Sequence, residues 1–372
     1  MSIVNIVNPL GMSGLYVVFA NRGGIYDEPG RYGISHLMEH LVIKSTDCMR
    51  DRLQENGIAT NAFTAPEMVV FYMTGLSSRI TMFAKEFVER LLGGVDGITE
   101  DAFMNERSTV LQEYGDYFGD PVSCTIGNCF RKMYGSYHCI GRREDIESFT
   151  FDDFKKEYEA HYLTPTAMFH VGQTGINLPG IETTETLPET FNPLVYAEDR
   201  KIELEEQPVV DRATVCCCTK DAVRADEATA ARIAVDMLTA GLNSPLYQEI
   251  REKRGLSYFQ GGTEFAARDE MHVMFFAPTE KARVSELIDV YDNVFSNLDK
   301  HMTEERFQIC LNRAQVQVEK QRILLYEHAD EIIRPRIGLI DTDAGLETLT
   351  FDTVMDVAKR HLSIEHIGKF TN

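Results

Sequence analysis

The chain has 372 residues, 44% hydrophobic and 26% charged, the balance of a folded globular protein rather than a disordered one. Its net charge is −21, from 37 basic and 58 acidic side chains, and no basic stripe stands out, which argues against a nucleic-acid partner. No stretch approaches the roughly 20 apolar residues of a membrane span, and Met1-Ser2-Ile3-Val4-Asn5 lacks the pattern of a targeting signal, so the expectation is a cytoplasmic protein with no membrane partner.

The elements follow in order. Residues 14–20 read as a strand and 21–33 as a turn-rich stretch. The apolar run 34–43 suits a buried helix; 51–55 continue helical until Gly57 stops them. Two β-rich runs, 59–64 and 68–74, flank Pro66. Amphipathic helices fit 80–92 and 100–114, and Asp120-Pro121 breaks the second. A helix over 151–161 and a strand over 167–172 complete the first half. Thr, Glu and Pro then dominate, which marks 179–199 as a linker between domains at 1–178 and 200–372. Beyond it come a strand at 213–218, helices at 227–240 and 246–254, a strand at 271–277, and long helices at 281–298 and 304–326. The second order resembles the first. The expected fold is therefore α+β, two related αβ modules, each a mostly antiparallel sheet packed against helices.

The eight cysteines are irregularly spaced and form no C-x-x-C pair, which supports neither a zinc knuckle nor a redox motif. Reduced, buried thiols are the expectation, with Cys216-Cys217-Cys218 as small apolar filler in a buried strand. The acidic balance serves solubility, the alternative being a negative interior that attracts basic peptides.

Chemistry concentrates in His36-Leu37-Met38-Glu39-His40. At about 100° per residue, His36 and His40 lie about 40° apart on a helix, with Glu39 beside them. Two imidazoles one turn apart can chelate one zinc ion, and a carboxylate on that face can reach a water bound to it. This is the H-x-x-E-H arrangement, the reverse of H-E-x-x-H. Leu37, Met38, Leu41, Val42 and Ile43 make the helix apolar nearly all round, a setting in which polar groups need a partner such as a metal. A catalytic zinc needs a third protein ligand. Glu106 and Glu113, seven apart on one helix face, are the candidates: one can bind the metal while the other orients a ligand.

These residues, in this order, suggest a family. Ile25-Tyr26-Asp27-Glu28-Pro29 followed by Gly33-Ile34-Ser35-His36-Leu37-Met38-Glu39-His40 resembles the signature of the pitrilysin or insulinase-like zinc metallopeptidases, to which mitochondrial processing peptidase belongs. Asn61-Ala62-Phe63-Thr64, the pair Glu106 and Glu113, Asp120-Pro121, and His161-Tyr162-Leu163-Thr164-Pro165 fall where such a protein has them. So do the run from Ser244 to Arg251 and Gly255-Leu256-Ser257-Tyr258. The resemblance implies His36, His40 and Glu113 as ligands of one Zn2+ per chain. It implies Glu39 as general base and Glu106 as support behind the ligands. Asn61, Ala62 and Phe63 would offer an edge strand to the substrate, and Arg251 and Tyr258 would bind substrate carbonyls. The implied function is a zinc-dependent endopeptidase acting on peptides or unfolded segments bound as an added β-strand. The alternative is a catalytically silent structural or peptide-binding subunit of the same fold. As a half-size member the chain is expected to act as a homodimer, or as a heterodimer with a related subunit. The N-terminus is short for the family, and its first strand is expected to be missing or altered. The glycine-rich loop of the non-catalytic processing-peptidase subunit is absent.

Overall fold

A computed structural model describes residues 1–94, 97–134, 139–187, 211–267, 270–323 and 329–371. Most of the expected linker, 188–199, lies outside the described residues, as do positions 324–326 of the last long helix. The chain forms two compact units. The first comprises Met1–Gly115, Ser136–Ala197 and Gln321–Gly338; the second comprises Asp116–Gly135, Glu198–Lys320 and Leu339–Asn372.

The first unit holds a six-stranded sheet. Its strands are β1 (Ser2–Val7), β2 (Met12–Ala20), β3 (Ala59–Thr64), β4 (Met68–Leu76), β5 (Ala167–Gly172) and β6 (Glu182–Thr184), in spatial order β3-β4-β2-β5-β1-β6. β2 runs antiparallel to β4 and β5, β3 antiparallel to β4, and β1 parallel to β5 and β6. A first strand is thus present and not missing. Ile3 and Val4 bury themselves in the sheet, and Asn5 breaks the apolar alternation because its side chain hydrogen-bonds both backbone groups of Ile176. Among the described residues β3 ends the sheet, so its outer edge presents backbone groups that no further strand pairs, with Ala62 N donating to Asn61 Oδ1 at 2.9 Å.

The helix Ile34–Ile43 runs over the residues expected of it. Leu37, Met38, Leu41 and Val42 are fully buried. Gly33 opens the helix at φ 95°, a left-handed conformation that favours glycine. Buried Asp27 then caps it from outside the helix: its carboxylate accepts from Gly33 N (2.7 Å), Ser35 N (3.4 Å) and Ser35 Oγ (2.6 Å), satisfying donors that a helix start leaves open. Burial pushes the Asp27 carboxyl up to about 7, against the pull of the Ser35 and Gly33 hydrogen bonds.

The second unit is built on β7 (Arg212–Thr219), β8 (Val223–Arg224), β9 (Gly261–Ala267), β10 (Glu270–Glu280) and β11 (Ile367–Thr371). β7 lies between β11 and β10, while β9 flanks β10; all these pairings are antiparallel. Alternation along β7 resolves the three adjacent cysteines. Cys217 points into the main core with the helices Ala228–Thr239, Val284–Ser296 and Phe351–His361, whereas Cys216 and Cys218 meet Cys129, Met274 and Phe276 on the other face. Cys129 belongs to a helix, Pro121–Tyr134, that sequence reasoning read only as a break. The expected helix 246–254 is shorter: Pro245–Tyr247 followed by one π-helical turn over Gln248–Glu252. All eight cysteines are free, and only Cys48 is exposed. Among the described residues no helix is long and apolar enough to cross a membrane.

Candidate metal centre

The site lies within the first unit, between the helix Ile34–Ile43 and the helix Glu100–Gly119. Phe103, Val110 and Tyr114 bury the latter's inner face, and Glu106 and Glu113 project beside that stripe. One ligand atom each of His36, Glu39 and His40 lies within 4.8 Å of the others. His36 Nε2 and His40 Nε2 are 3.3 Å apart. Glu113 Oε2 sits 3.4 Å from the first and 3.5 Å from the second.

The opposite edge of the His40 ring is held separately. Its Nδ1 lies 3.1 Å from Glu106 Oε2, and the other oxygen of Glu106 lies 2.9 Å from Lys44 Nζ. With Nδ1–H donating to Glu106, Nε2 of His40 turns a lone pair inward. His36 Nδ1 is buried with no hydrogen-bond partner among the described residues, so the ring can carry its proton on Nε2, donating to Glu113 Oε2, or on Nδ1, which leaves three electron-rich atoms around one point for a cation. The hydrogen bond with His36 is the main reason the Glu113 carboxyl falls below its ordinary range, with burial opposing it.

These separations suit a metal. Zinc bonds of about 2.0–2.1 Å in a tetrahedral arrangement place neighbouring ligand atoms about 3.3 Å apart. The two nitrogens and one carboxylate oxygen lie 3.3, 3.4 and 3.5 Å from one another. The donor set, imidazole with carboxylate, is one that zinc accepts, and it leaves a fourth position to a water.

Glu39 lies on the same face, its Oε2 accepting a 2.9 Å hydrogen bond from Thr64 Oγ1 on β3. A cleft of about 340 Å³ runs beside it, lined by Glu39, His40, Lys44, Thr60, Asn61 and Glu106 among others. Asn61, Ala62 and Phe63 stand on β3 at the sheet edge, with Asn61 exposed. Arg251 and Tyr258 belong to the second unit and pair there. The Arg251 guanidinium sits 4.2 Å from the centre of the Tyr258 ring and 5.1 Å from that of Tyr247. Three contributors were not identified from the sequence: Lys44, Thr64 and Asp27. Lys44 had a signal, standing one helical turn after His40. Asp27 and Thr64 lie inside the quoted motifs, yet their roles depend on contacts that spacing alone does not show.

Residues 8–125 match the family model for insulinase, peptidase family M16, and residues 178–313 match the model described as the peptidase M16 inactive domain. The chain belongs to the insulinase (M16) peptidase family. An uncharacterized zinc protease of Streptomyces coelicolor is 25% identical over 285 residues, 69% of this chain and 61% of that protein. The zinc protease PqqE of Helicobacter pylori is 24% identical over 279 residues, 67% and 61% of the two chains. This chain therefore spans about three-fifths of the length of these two relatives. Among solved structures, a protease from Helicobacter pylori superposes with a TM-score of 0.79 at 16% identity, covering 99% of this chain and 96% of that one. A chain of complex III2 from Candida albicans gives 0.74 at 10% identity, covering 100% and 93%. At such identities the structural likeness shows the fold alone: two modules, each a sheet packed against helices.

Proposed function

We propose that the chain is a zinc-dependent endopeptidase hydrolysing peptides or unfolded segments, with His36, His40 and Glu113 holding one Zn2+ and Glu39 as general base. The observation that carries this reading is the convergence of His36 Nε2, His40 Nε2 and Glu113 Oε2 at 3.3–3.5 Å, the edge length of a tetrahedral zinc site. When bound, zinc lowers the pKa of its water toward about 7 and polarises the scissile carbonyl. Glu106 holds Nδ1–H of His40 and so keeps its Nε2 directed inward. Glu39 takes the proton of the attacking water on a carboxylate oxygen and returns it to the leaving amine.

The substrate adds as a strand along the free edge of β3, where Asn61, Ala62 and Phe63 offer backbone groups. Such pairing draws affinity from main-chain hydrogen bonds and so favours extended or unfolded segments. Arg251 and Tyr258 serve as further binders of substrate carbonyls from the second unit, in line with their pattern in the sequence. In this reading residues 1–178 form the catalytic domain, 179–199 the linker and 200–372 the companion domain along the sequence, with 116–135 packing in the second compact unit and 321–338 in the first. The working form is a homodimer, and an active monomer in solution would overturn that. The free thiols suit a reducing compartment such as the cytoplasm.

Metal analysis of the purified chain, followed by cleavage of an unstructured peptide with and without chelator, tests the proposal. One zinc per chain and activity abolished by chelation are expected. Undiminished cleavage in excess chelator overturns the zinc mechanism. Bound zinc without cleavage replaces the enzyme by a peptide-binding subunit, and absence of both by a structural one.

A further inference from the structure

The turn between β3 and β4 carries features that the metal centre and the edge strand do not explain. Glu67, in this turn, is completely buried. A carboxylate in that position needs a cation and hydrogen bonds. Both come from far along the chain: Arg334, on the helix Ala329–Arg336, donates from Nη1 to Glu67 Oε2 at 3.1 Å and from Nη2 to Glu67 Oε1 at 3.0 Å. This two-pronged geometry fixes direction as well as charge, which a lysine would not do. The segment containing Arg334 returns to the first unit after the chain has built most of the second.

The same turn is fastened at two further points. Ala65 N donates to Met68 O at 2.8 Å, and Ile25 N donates to Pro66 O at 3.1 Å. Gly23 allows this approach: a Cβ there would stand 2.3 Å from both Ala65 O and Pro66 O. The turn is thus set between the loop before the histidine helix and the returning Arg334. At its start stands Thr64, the residue whose hydroxyl donates to Glu39.

We infer that Thr64 and Arg334 are positioning residues for Glu39: Thr64 holds one carboxylate oxygen of the base, and Arg334, through Glu67, holds the turn that presents Thr64. The inference rests on the hydrolytic reading of the site. A carboxylate fixed at one oxygen keeps the other aimed at the proton it must take, and general-base catalysis depends on that aim. The hydroxyl also gives Glu39 a partner from the edge strand itself, so the strand that receives substrate and the group that acts on it move as one. Arg334 touches neither substrate nor the reacting atoms. Its influence passes through the turn.

The test uses the full chain loaded with zinc and an unstructured peptide, and reads kcat, KM, zinc content and the melting temperature of the zinc-free protein. Thr64→Val keeps the branched shape and loses the hydroxyl. It is expected to lower kcat about tenfold with KM within twofold and zinc content unchanged, and Thr64→Ser to restore most of the rate. Arg334→Met is expected to lower both the melting temperature and kcat. In the Thr64→Val background it should cost no further kcat, because the link it acts through is already broken. Should Arg334→Met not fold, Arg334→Lys decides instead, keeping the charge and losing the fork, with the same absence of further loss in the Thr64→Val background.

A Thr64→Val enzyme with wild-type kcat overturns the inference. So does Thr64→Ser as impaired as Thr64→Val, or an Arg334 variant that lowers only the melting temperature, or one whose loss of kcat adds fully to that of Thr64→Val. A wild-type chain that binds zinc and cleaves nothing removes the hydrolytic reading itself, whereas cleavage by wild type with an unaltered Thr64→Val variant removes this inference alone.

Discussion

The two units repeat one topology and use it differently. The strand order β3-β4-β2-β5 of the first recurs as β9-β10-β7-β11 in the second. In each, a helix follows the central strand: Ile34–Ile43 after β2, Ala228–Thr239 after β7. A later helix of each unit also repeats its start. Thr150 precedes Phe151-Asp152 and Thr350 precedes Phe351-Asp352, each threonine accepting a backbone N–H from the third residue on. Yet the Ile34–Ile43 helix carries His36, Glu39 and His40, whereas its counterpart is filled with buried alanines, Ile233, Val235, Met237 and Leu238. The fold therefore stands without the polar cluster. On the proposed reading the histidines and glutamates are present for what they can bind and do, and the second helix shows what the same position becomes when it only packs.

The sharpest break of this comparison is the loss of one oxygen's basicity. Glu39→Gln is expected to cut kcat by about 10²–10⁴-fold while zinc content and melting temperature stay near wild type. A fully active variant would remove Glu39 from its role. In the matching helix of the second unit the pattern should invert. Leu238→Ala empties a fully buried position and is expected to cost about 2–5 kcal/mol of stability. The kcat of the molecules that remain folded should stay within about twofold. Denaturant unfolding beside peptide cleavage separates the two, and a large kcat loss in folded Leu238→Ala would mean that the second helix does more than pack.

How legible each unit is in the sequence follows the same division. The helix 34–43 was readable to the residue because Gly33 precedes it and Ile34, Leu37, Met38, Leu41, Val42 and Ile43 carry an apolar pattern along it. The clustering of His36, Glu39 and His40 was readable because the three are local, about one turn of one helix. Glu106 and Glu113 were visible as a pair, but which of them faces the Nε2 atoms and which holds Nδ1 comes from the packing of two helices. The missed elements have physical reasons too. Pro121 looked like a break, but proline also fits the first turn of a helix, where its missing N–H goes unnoticed, and Pro121–Tyr134 begins there. β9 opens on two glycines and lacks clean alternation, so no period announced it. The helix Phe351–His361 did leave a signal, the Thr-Phe-Asp start shared with Phe151–His161, and only an internal comparison would have found it.

The two helix entrances differ in charge state, and that difference is measurable as pH dependence. Asp27 caps the first helix with backbone and Ser35 donors, and burial pushes it up to about 7. Glu227, at the start of the second helix, is also buried; burial opposes ionisation there, but the hydrogen bonds of Arg360 and His361 prevail and hold its carboxyl below the ordinary range. A raised acid binds its proton more tightly in the native state than in the unfolded one, so Asp27 contributes stability fully below about pH 4, and loses it as pH rises through about 7. A lowered acid does the reverse: Glu227 contributes above the unfolded value near 4.5 and loses that contribution as pH falls through its folded value. Unfolding free energies followed from about pH 2 to 8 should therefore show opposite slopes in separate windows: relative to Asp27→Asn, wild type loses stability from about pH 4 to 7, and relative to Glu227→Gln it loses stability as pH falls below about 4.5. The Asp27 slope is bounded at about 1.4 kcal/mol per pH unit. Equal slopes of one sign would break the contrast.

The smallest effect concerns the groups behind the proposed zinc site, which have no counterpart on the second helix. Zinc affinity, measured by competition with a chromophoric chelator, should fall most in Glu113→Ala, less in Glu106→Ala and least in Lys44→Met. Glu113 offers an oxygen at 3.4–3.5 Å from both Nε2 atoms, so in the proposed zinc site its loss removes a ligand. Glu106 only turns the His40 ring, and groups in such positions are worth about 10–100-fold in affinity. Lys44 acts one step further out, holding the oxygen of Glu106 that His40 does not use. About a threefold to tenfold loss is expected for Lys44→Met, and less for Lys44→Arg, which keeps the charge. Should Glu106→Ala weaken zinc more than Glu113→Ala, the two glutamates exchange roles. Should Lys44→Met leave affinity untouched, the 2.9 Å contact is a surface ion pair with no bearing on the site.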